Sequence, residues 1–454
     1  MNFDTMTVSQ IARMVSEKKI SSGEVSKMYF ERIRKEDKNF RSYITVCEEE
    51  KGETSGRLAG VPISIKDNIC MKGTLTTCAS RMLEGYVSPY NAHVVDRLSS
   101  EGALITGKTN LDEFAMGSFG DNSALFQTKN PVNVSYLPGG SSSGAAASVA
   151  GGMCVAAIGS DTGGSVRIPA AFCGLCGFKP TYGAISRFGL IAYASSLDTI
   201  GIVTRNATDA KLLSSVLFGK DERDMTSYDV NIGECEIALG DIRFAFSDKD
   251  LEDAETEIAE VICRVRDLLL RAGASCVDKT LFGNAKSDNA YRVLACAEAT
   301  SNLARYDGIR YGGKSGLDVL RTREELFGEE VKRRIEYGNF VLAKENFEKY
   351  FKAAADERTR VIKETEMLFE DVDVIISPLC DFSVPTYSNT SSCRADRFTV
   401  AANFAGNPAI SITAGRDKNN MPVSVQLMSA RGCDAKLLSI AEKLEQLLLK
   451  EGAV

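Results

Sequence analysis

The chain has 454 residues, of which 44% are hydrophobic and 25% are charged, with a net charge of −7. This composition is typical of a globular protein with a large core. No apolar run reaches the roughly 18 residues of a membrane-spanning helix, and the start, MNFDTMTVSQ, lacks the basic and apolar regions of a signal peptide. The acidic balance argues against a main nucleic-acid-binding surface, because phosphate neutralisation needs clustered Lys and Arg.

The sequence contains thirteen cysteines and a single histidine, His93. Without an export signal, the cysteines are expected to be reduced thiols, which predicts a cytoplasmic protein, or one of an organellar matrix with no visible transit peptide. Cys173 and Cys176 form a CxxC pair, but no second pair follows at zinc-ribbon spacing. We therefore expect small buried apolar side chains there and no metal site. A Ser-His-Asp triad would have to use His93.

Hydrophobic periodicity predicts alternating helices and strands, which favours a layered α/β core. Helices are predicted over most of the first 35 residues, at 92–101, 142–152, 166–172 and 258–269, as one long polar helix at about 339–369, and from 435 onward. Strands are predicted at 61–65, 103–106, 154–159, 372–377, 409–413 and 423–428. Because late elements of the chain return to the same sheet in this arrangement, one large domain is favoured over several.

Residues 159–167 read GSDTGGSVR, and they place Ser165 directly after two glycines at the predicted start of a helix. A serine hydroxyl becomes a strong nucleophile when a neighbouring base takes its proton, and glycine lets the backbone approach a substrate carbonyl closely. The amides of Thr162, Gly163, Gly164 and Ser165 are candidates for an oxyanion hole. The pattern also fits a turn with a serine cap, or a phosphate-binding helix start, although no GK[ST] follows.

Lys66 and Ser141 are the candidate partners of that serine. Lys66 ends a predicted apolar strand, where burial could lower the pKa of its amine from about 10.4 toward neutrality and make it a base. Ser141 lies in a second glycine-serine cluster, GGSSSG at 139–144, and its hydroxyl could relay a proton because it both donates and accepts. Singly, such residues are often a solvated strand-edge lysine and a helix cap. Together with Ser165 they predict a Ser-Ser-Lys amide-cleaving site.

The ordered set of Lys66, GGSSSGAAAS from position 139 and GSDTGGSVR from position 159 resembles the amidase signature family over nearly the whole chain. The resemblance implies an α/β fold with a large mixed central β-sheet covered by helices on both faces. It implies one domain over 1–454, with an N-terminal helical segment at about 1–50 and a helical insertion at about 250–370 packed on the core. It also implies Ser165 as the acyl-enzyme nucleophile, Ser141 as a serine in cis peptide linkage and Lys66 as the base.

Longer stretches, at 109–118, 220–227, 305–312 and 330–335, are similar to one branch of that family, the glutamine-using components of glutamyl-tRNA(Gln) amidotransferase. This resemblance implies that Arg358 and Asp396 bind the α-carboxylate and α-amino groups of glutamine, because a zwitterion needs one fixed charge of each sign. Tyr311 is assigned to the same substrate-binding set. Two details depart from the family pattern: the serine cluster reads GGSSSGAA instead of the usual GGSSGGSA, and the chain is short between Ser227 and Lys249 and near Asp396.

The branch resemblance implies a glutaminase subunit of a glutamine-hydrolysing carbon–nitrogen ligase, which supplies ammonia to convert Glu-tRNA(Gln), or Asp-tRNA(Asn), to the amide form. Its partners would be a small C-type subunit and a kinase/transamidase B-type subunit, with tRNA bound mainly by the partners. ATP and Mg²⁺ would belong to the B-type subunit, with no cofactor in this chain and no membrane or DNA contact. Two alternatives stay open. A free-standing amidase would cleave simple carboxamides without needing Arg358 and Asp396, whereas a non-catalytic scaffold would not need the three catalytic candidates.

Overall fold

A computed structural model describes residues 5–48, 55–280, 285–312, 316, 318–388 and 394–452. The strands of these residues form one eleven-stranded sheet in the order β1-β3-β2-β4-β6-β5-β10-β11-β9-β7-β8. Their bounds are β1 Tyr43–Val46, β2 Pro62–Lys66, β3 Leu104–Thr109, β4 Ala156–Asp161, β5 Cys176–Lys179, β6 Thr199–Thr204, β7 Arg243–Phe246, β8 Ser275–Asp278, β9 Val374–Pro378, β10 Ala409–Arg416 and β11 Pro422–Met428.

The sheet is mixed, and its parallel part positions the site. β2 runs parallel to both of its neighbours, β3 and β4, so their carboxyl ends meet at one edge of the sheet. From β4 through β6, β5, β10, β11 and β9 the pairing is antiparallel, and β9, β7 and β8 are parallel again. Lys66 is the last residue of β2 and Asp161 the last of β4, which brings the predicted base close to the segment that carries Ser165.

Helices cover both faces of the sheet. They are α1 Val8–Ser16, α2 Ser22–Phe40, α3 His93–Ser100, α4 Ser143–Ala150, α5 Arg167–Phe172, α6 Ala207–Leu217, α7 Thr256–Arg271, α8 Ala285–Leu303, α9 Val319–Leu326, α10 Glu329–Leu342, α11 Lys344–Asn346, α12 Ala353–Phe369, α13 Val400–Ala405 and α14 Asp434–Lys450. Alternate residues of a strand point to opposite faces. Ile63 and Ile65 accordingly pack into a core with α3, α6, α7 and α14, whereas Ala157 packs with α4 and α5 and Ile375 with α8, α10, α12 and α13.

Most predicted elements are confirmed, and one is corrected. The prediction of one helix at about 339–369 is wrong, because the chain leaves the helical conformation at Ala343, whose ψ is 142°, and a π-helical turn, Phe347–Lys352, precedes α12. In addition to helices, the N-terminal segment at about 1–50 contains β1, and the insertion at about 250–370 contains β8. Residues 1–4 and 49–50 of the N-terminal segment, and 281–284, 313–315 and 317 of the insertion, lie outside the described residues.

Cys173 and Cys176 are both buried, as expected, and both are free thiols. Within the described ranges, no group of His, Cys, Asp and Glu side chains is arranged to hold a metal ion. The described helices include none that combines the length and the apolarity required to cross a bilayer.

Candidate active site

Lys66 is fully buried at the end of β2, and its amine contacts two serines. Nζ donates to Ser141 Oγ at 2.7 Å, to Ser160 Oγ at 2.9 Å and to the Ser160 carbonyl at 3.3 Å. Asn68 Nδ2 also donates to Ser160 Oγ at 2.9 Å, which fixes that hydroxyl. Burial lowers the pKa of Lys66 to about 7, and the charge of Asp112 limits the decrease. A substantial fraction of Lys66 is therefore a neutral amine near pH 7, which can accept a proton.

Ser141 lies in the turn that leads into α4, and the Gly140–Ser141 peptide bond is cis, as the family resemblance implies. The Ser141 carbonyl accepts from the amide of Asp112 at 3.2 Å, and the amide of Gly140 donates to the carbonyl of Ser118 at 2.9 Å. The next residue, Ser142, donates its amide to the carbonyl of Ser165 at 3.1 Å. The turn is thus bonded both to the segment after β3 and to the segment that carries Ser165.

The segment between β4 and α5 carries Ser165, and a buried ion pair shapes it. The Asp161 carboxylate accepts from the amides of Gly164 at 2.8 Å and Val166 at 3.1 Å, and from Arg167 Nη2 at 2.9 Å. Although burial raises the pKa of Asp161, the Arg167 guanidinium outweighs it and holds the pKa well below the usual range. Both residues are fully buried, so each charge depends on the other for compensation.

Glycine is required at position 164. Its φ is +128°, and a Cβ there would lie 2.5 Å from Thr399 Oγ1. The Gly164 amide is already bonded to Asp161, which argues against its predicted place in the oxyanion hole. Among the described residues, the amides of Thr162, Gly163 and Ser165 have no acceptor, so they remain candidates. Thr162 is held through its side chain, because Oγ1 donates to Asp198 Oδ1 at 2.7 Å.

A cavity of about 680 Å³ adjoins these two serine segments. It is lined by Ala115, Met116, Gly117, Ser118, Phe119, Asp121, Asn122, Asn289, Tyr291, Arg292, Cys296, Glu330, Arg333, Arg334, Tyr337, Ala395 and Asp396. Two lining residues contact the serine segments: the carbonyl of Ser118 accepts from the amide of Gly140, and a Cβ on Gly163 would lie 2.6 Å from Tyr291. Ser165 is 7% exposed while Ser141 and Lys66 are fully enclosed, which makes Ser165 the member of the set able to meet a substrate.

The cavity presents charges of both signs. α10 contributes Glu330, Arg333 and Arg334, and Asp396 precedes α13. Arg334 donates Nε to Glu330 Oε1 at 2.7 Å and Nη1 to the hydroxyl of Tyr193. In the described part of the chain, Arg334 Nη2 has no acceptor and the Asp396 carboxylate has no hydrogen-bond donor. A guanidinium edge and a carboxylate in one cavity can together bind a zwitterion.

Asp396 lines the cavity and Arg358 is not among its described lining residues, which argues against the predicted pairing of these two residues. Arg358, on α12, donates Nη1 to Ser196 Oγ at 2.7 Å, Nη2 to the Ser196 carbonyl at 3.0 Å and Nε to the Phe404 carbonyl at 3.2 Å. It is not among the described residues that line the cavity. Because each guanidinium nitrogen of Arg358 is bonded to the protein, this side chain connects α12 to Ser196 and to α13. Arg334 is therefore the better candidate to bind the carboxylate of the substrate.

Tyr311 also lies elsewhere. Its ring packs edge-on against Tyr306 at 5.1 Å and Tyr86 at 5.5 Å between ring centres, and the described lining of the cavity does not include it. Tyr291 lines the cavity and touches the Gly163 backbone. Sequence reasoning missed Tyr291 and Arg334, although Arg334 stands in the 330–335 stretch already singled out. Asp161 and Arg167 were likewise present in the GSDTGGSVR motif without an assigned role.

Comparisons with known proteins identify the family to which the chain belongs. A sequence profile described as Amidase matches residues 25–438. The chain belongs to the amidase family. It is 41% identical to the A subunit of glutamyl-tRNA(Gln) amidotransferase from Halothermothrix orenii, over 98% of this chain and 97% of that protein. A relative of the same name from Desulfosudis oleivorans is 39% identical over 97% of each chain.

Solved amidase-family structures superpose over the full length. The crystal structure of the A subunit of glutamyl-tRNA(Gln) amidotransferase from Thermotoga maritima matches with a TM-score of 0.85 and 37% identity, covering 98% of this chain and 95% of that one. The peptide amidase of Stenotrophomonas maltophilia matches with a TM-score of 0.83 and 26% identity, covering 98% and 97%. The amidase fold, a large mixed sheet with helices on both faces, is therefore confirmed.

Proposed function

We propose that this amidase-family chain is the glutaminase subunit of a tRNA-dependent amidotransferase. The observation that carries the proposal is the 2.7 Å contact between Lys66 Nζ and Ser141 Oγ, next to a cavity that holds an arginine and a carboxylate. Glutamine offers the matching features: an α-carboxylate, an α-ammonium group and a side-chain amide. The relatives named above, which are subunits of glutamyl-tRNA(Gln) amidotransferases, support this choice of substrate.

In the proposed reaction, Arg334 binds the α-carboxylate, Asp396 binds the α-ammonium group, and the side-chain amide reaches Ser165. Ser165 Oγ attacks the amide carbonyl carbon while its proton passes to Ser141 Oγ, and Ser141 gives its own proton to neutral Lys66. The amides of Gly163 and Ser165 stabilise the oxyanion, for which one donor typically contributes about 3 kcal/mol.

Collapse of the tetrahedral intermediate breaks the carbon–nitrogen bond. The proton returns from Lys66 through Ser141 to the leaving nitrogen, which departs as ammonia and leaves a γ-glutamyl ester on Ser165. Water then attacks the ester carbonyl and gives a proton to Ser141 as Ser141 again protonates Lys66. The reverse transfer regenerates the Ser165 hydroxyl and releases glutamate. Within this scheme the chain's own residues perform every proton transfer.

The assembly follows from the same proposal. Ammonia passes to a kinase/transamidase B-type subunit, which uses ATP and Mg²⁺ to activate glutamate on Glu-tRNA(Gln), or aspartate on Asp-tRNA(Asn), and a small C-type subunit completes the complex. This chain needs no cofactor of its own. A cytoplasmic location, where aminoacyl-tRNA is made, agrees with its buried free thiols.

The test is ammonia release from glutamine by the purified chain, alone and co-expressed with B-type and C-type subunits, ATP and charged tRNA. Butyramide serves as a substrate without α-groups, and Ser165→Ala is the blank. The proposal predicts glutamine cleavage that increases in the complete assembly. Robust butyramide cleavage with glutamine ignored would instead make the chain a free-standing amidase. Assembly-dependent tRNA amidation that survives Ser165→Ala would make it a scaffold.

A further inference from the structure

The side chain of Glu113 connects the segment just before the cavity-lining residues 115–119 to the start of α10. Glu113 is 1% exposed. Its Oε1 accepts from Ser80 Oγ at 2.5 Å, and its Oε2 accepts from the backbone amide of Gly328 at 2.9 Å. A carboxylate in this position bonds a helix start and a distant loop at the same time, and the proposed mechanism gives it no role.

On one side, Glu113 holds the start of α10. Gly328 immediately precedes this helix, and a Cβ on Gly328 would lie 2.2 Å from Glu113 Oε2. The start of α10 is therefore in direct contact with the Glu113 carboxylate. α10 then presents Glu330, Arg333 and Arg334 to the cavity, so the position of its first turn determines where these charges lie.

On the other side, the chain around Glu113 supports the turn that contains Ser141. The preceding residue, Asp112, donates its amide to the Ser141 carbonyl at 3.2 Å, and Ser118 accepts from the amide of Gly140 at 2.9 Å. Residues 115–119 themselves line the cavity. The same short segment therefore supports the catalytic turn at Ser141 and, through one side chain, the helix that carries Arg334.

We propose, building on the glutaminase function above, that Glu113 is a positioning residue that sets the separation between Arg334 and the serines. A substrate whose carboxylate is bound by Arg334 reaches Ser165 only if its amide lies the correct number of methylenes away. Glutamine exceeds asparagine by one methylene, so a fixed separation selects between them. A substrate amide without an α-carboxylate does not bind Arg334, so its rate of cleavage does not depend on Glu113.

The experiment compares Glu113→Ala and Glu113→Gln in the full chain, co-expressed with the partner subunits, on glutamine, asparagine and butyramide. A misplacement of about 1 Å can cost about 100-fold in rate, so Glu113→Ala is expected to raise the KM for glutamine by about 10- to 100-fold and to reduce the preference over asparagine. Butyramide kcat/KM should stay within about threefold. Glu113→Gln keeps a side chain that can accept from the amide of Gly328 and donate to Ser80, so its KM for glutamine should stay close to the parent value.

Glu445→Ala is the matched control, because Glu445 Oε2 accepts from the amide of Ala207 at the start of α6 at 2.8 Å, and α6 lies on the other face of the sheet. It should lower stability without changing either substrate's kinetics. Equal losses for glutamine and butyramide in Glu113→Ala, or a glutamine KM that rises as much in Glu445→Ala, would overturn the positioning role.

Hydrogen exchange separates this inference from the proposed function. Whether or not glutamine is the substrate, Glu113→Ala should speed amide hydrogen exchange at residues 328–333, where α10 begins. Unchanged exchange there would refute the role of Glu113 in holding the start of α10, even if glutamine is cleaved. Conversely, a wild-type chain that ignores glutamine in the complete assembly would refute the glutaminase proposal. It would also refute the selection between glutamine and asparagine by side-chain length. Only the contact between Glu113 and the start of α10, measured by hydrogen exchange, would then remain.

Discussion

Raising the pH is the most direct perturbation of the proposed base. Burial lowers the pKa of Lys66 from 10.5 to about 7, a change equivalent to about 5 kcal/mol against the charged form. With this pKa the neutral fraction rises about tenfold between about pH 6 and about pH 8. An ordinary lysine would be only about 0.3% neutral at about pH 8. We therefore expect kcat/KM for glutamine to rise about tenfold over this interval and then level off.

The assay is initial-rate ammonia release from about pH 5.5 to about pH 9 at constant ionic strength. Lys179→Met is the matched control, because burial also lowers the pKa of Lys179 to about 7, yet its Nζ donates to the Pro180 carbonyl and not to a serine. The control should keep the rise with pH, whereas Lys66→Met should lose about 100- to 10,000-fold in rate. A flat profile, or a rise that disappears in Lys179→Met, would refute the assignment of Lys66 as the base.

Asp112 titrates in the same range, since burial raises the pKa of its carboxyl group to about 7, so the observed rise belongs to two interacting groups. The two can be separated. The negative charge of Asp112 favours protonated Lys66, and Asp112→Asn should therefore move the rise to lower pH. A shift to higher pH would contradict this electrostatic account.

The same pKa has a consequence for stability. Between about pH 7 and pH 10.5 the unfolded chain binds a proton at Lys66 that the folded chain does not. The contribution of Lys66 to the free energy of unfolding is therefore most unfavourable below about pH 7 and is relieved as the pH rises toward 10.5. In denaturant melts, the difference in the free energy of unfolding between Lys66→Met and the parent chain should become smaller as the pH increases.

Four substitutions test the remaining geometry. Arg334→Ala should raise the KM for glutamine by about 10- to 100-fold, since a hydrogen bond to a charged group contributes about 1.5–3 kcal/mol. Arg358→Ala should lower the melting temperature and leave the KM for glutamine near the parent value. If Michaelis kinetics show the reverse, Arg358 and not Arg334 binds the glutamine carboxylate. Gly164→Ala should abolish ammonia release, because an alanine fits neither the φ of +128° nor the space there; full activity would show that the segment adapts. Asp161→Asn should lower the free energy of unfolding by about 3–5 kcal/mol in denaturant melts, because Arg167 loses its counter-charge, and a loss below about 1 kcal/mol would contradict the buried-pair account.

Six of the eleven strands in the described residues were predictable from short, mostly apolar segments such as those of β2 and β4, and α7 has a clear apolar face, whereas β1, β5, β6, β7 and β8 were not predicted. The break at Ala343 was not, since neither proline nor glycine marks it and the chain turns there for tertiary reasons. The catalytic candidates were found because short motifs hold them at fixed spacing. The sequence analysis named Arg358 and not Arg334, because the sequence does not reveal which arginine of a helical region faces a cavity, and packing decides that.

Arg167, which shapes the segment carrying Ser165, also contacts residues far along the chain. Its Nη1 donates to the Thr399 carbonyl and to Gln426 Oε1, and its Nη2 donates to Asn403 Oδ1. During synthesis the ribosome makes these partners more than 230 residues after Arg167. The nascent polypeptide therefore carries the GSDTGGSVR motif for about half of its synthesis without these distant contacts. A chain interrupted before Thr399 would be inert toward glutamine, so ammonia production begins only when the C-terminal strands have joined the sheet.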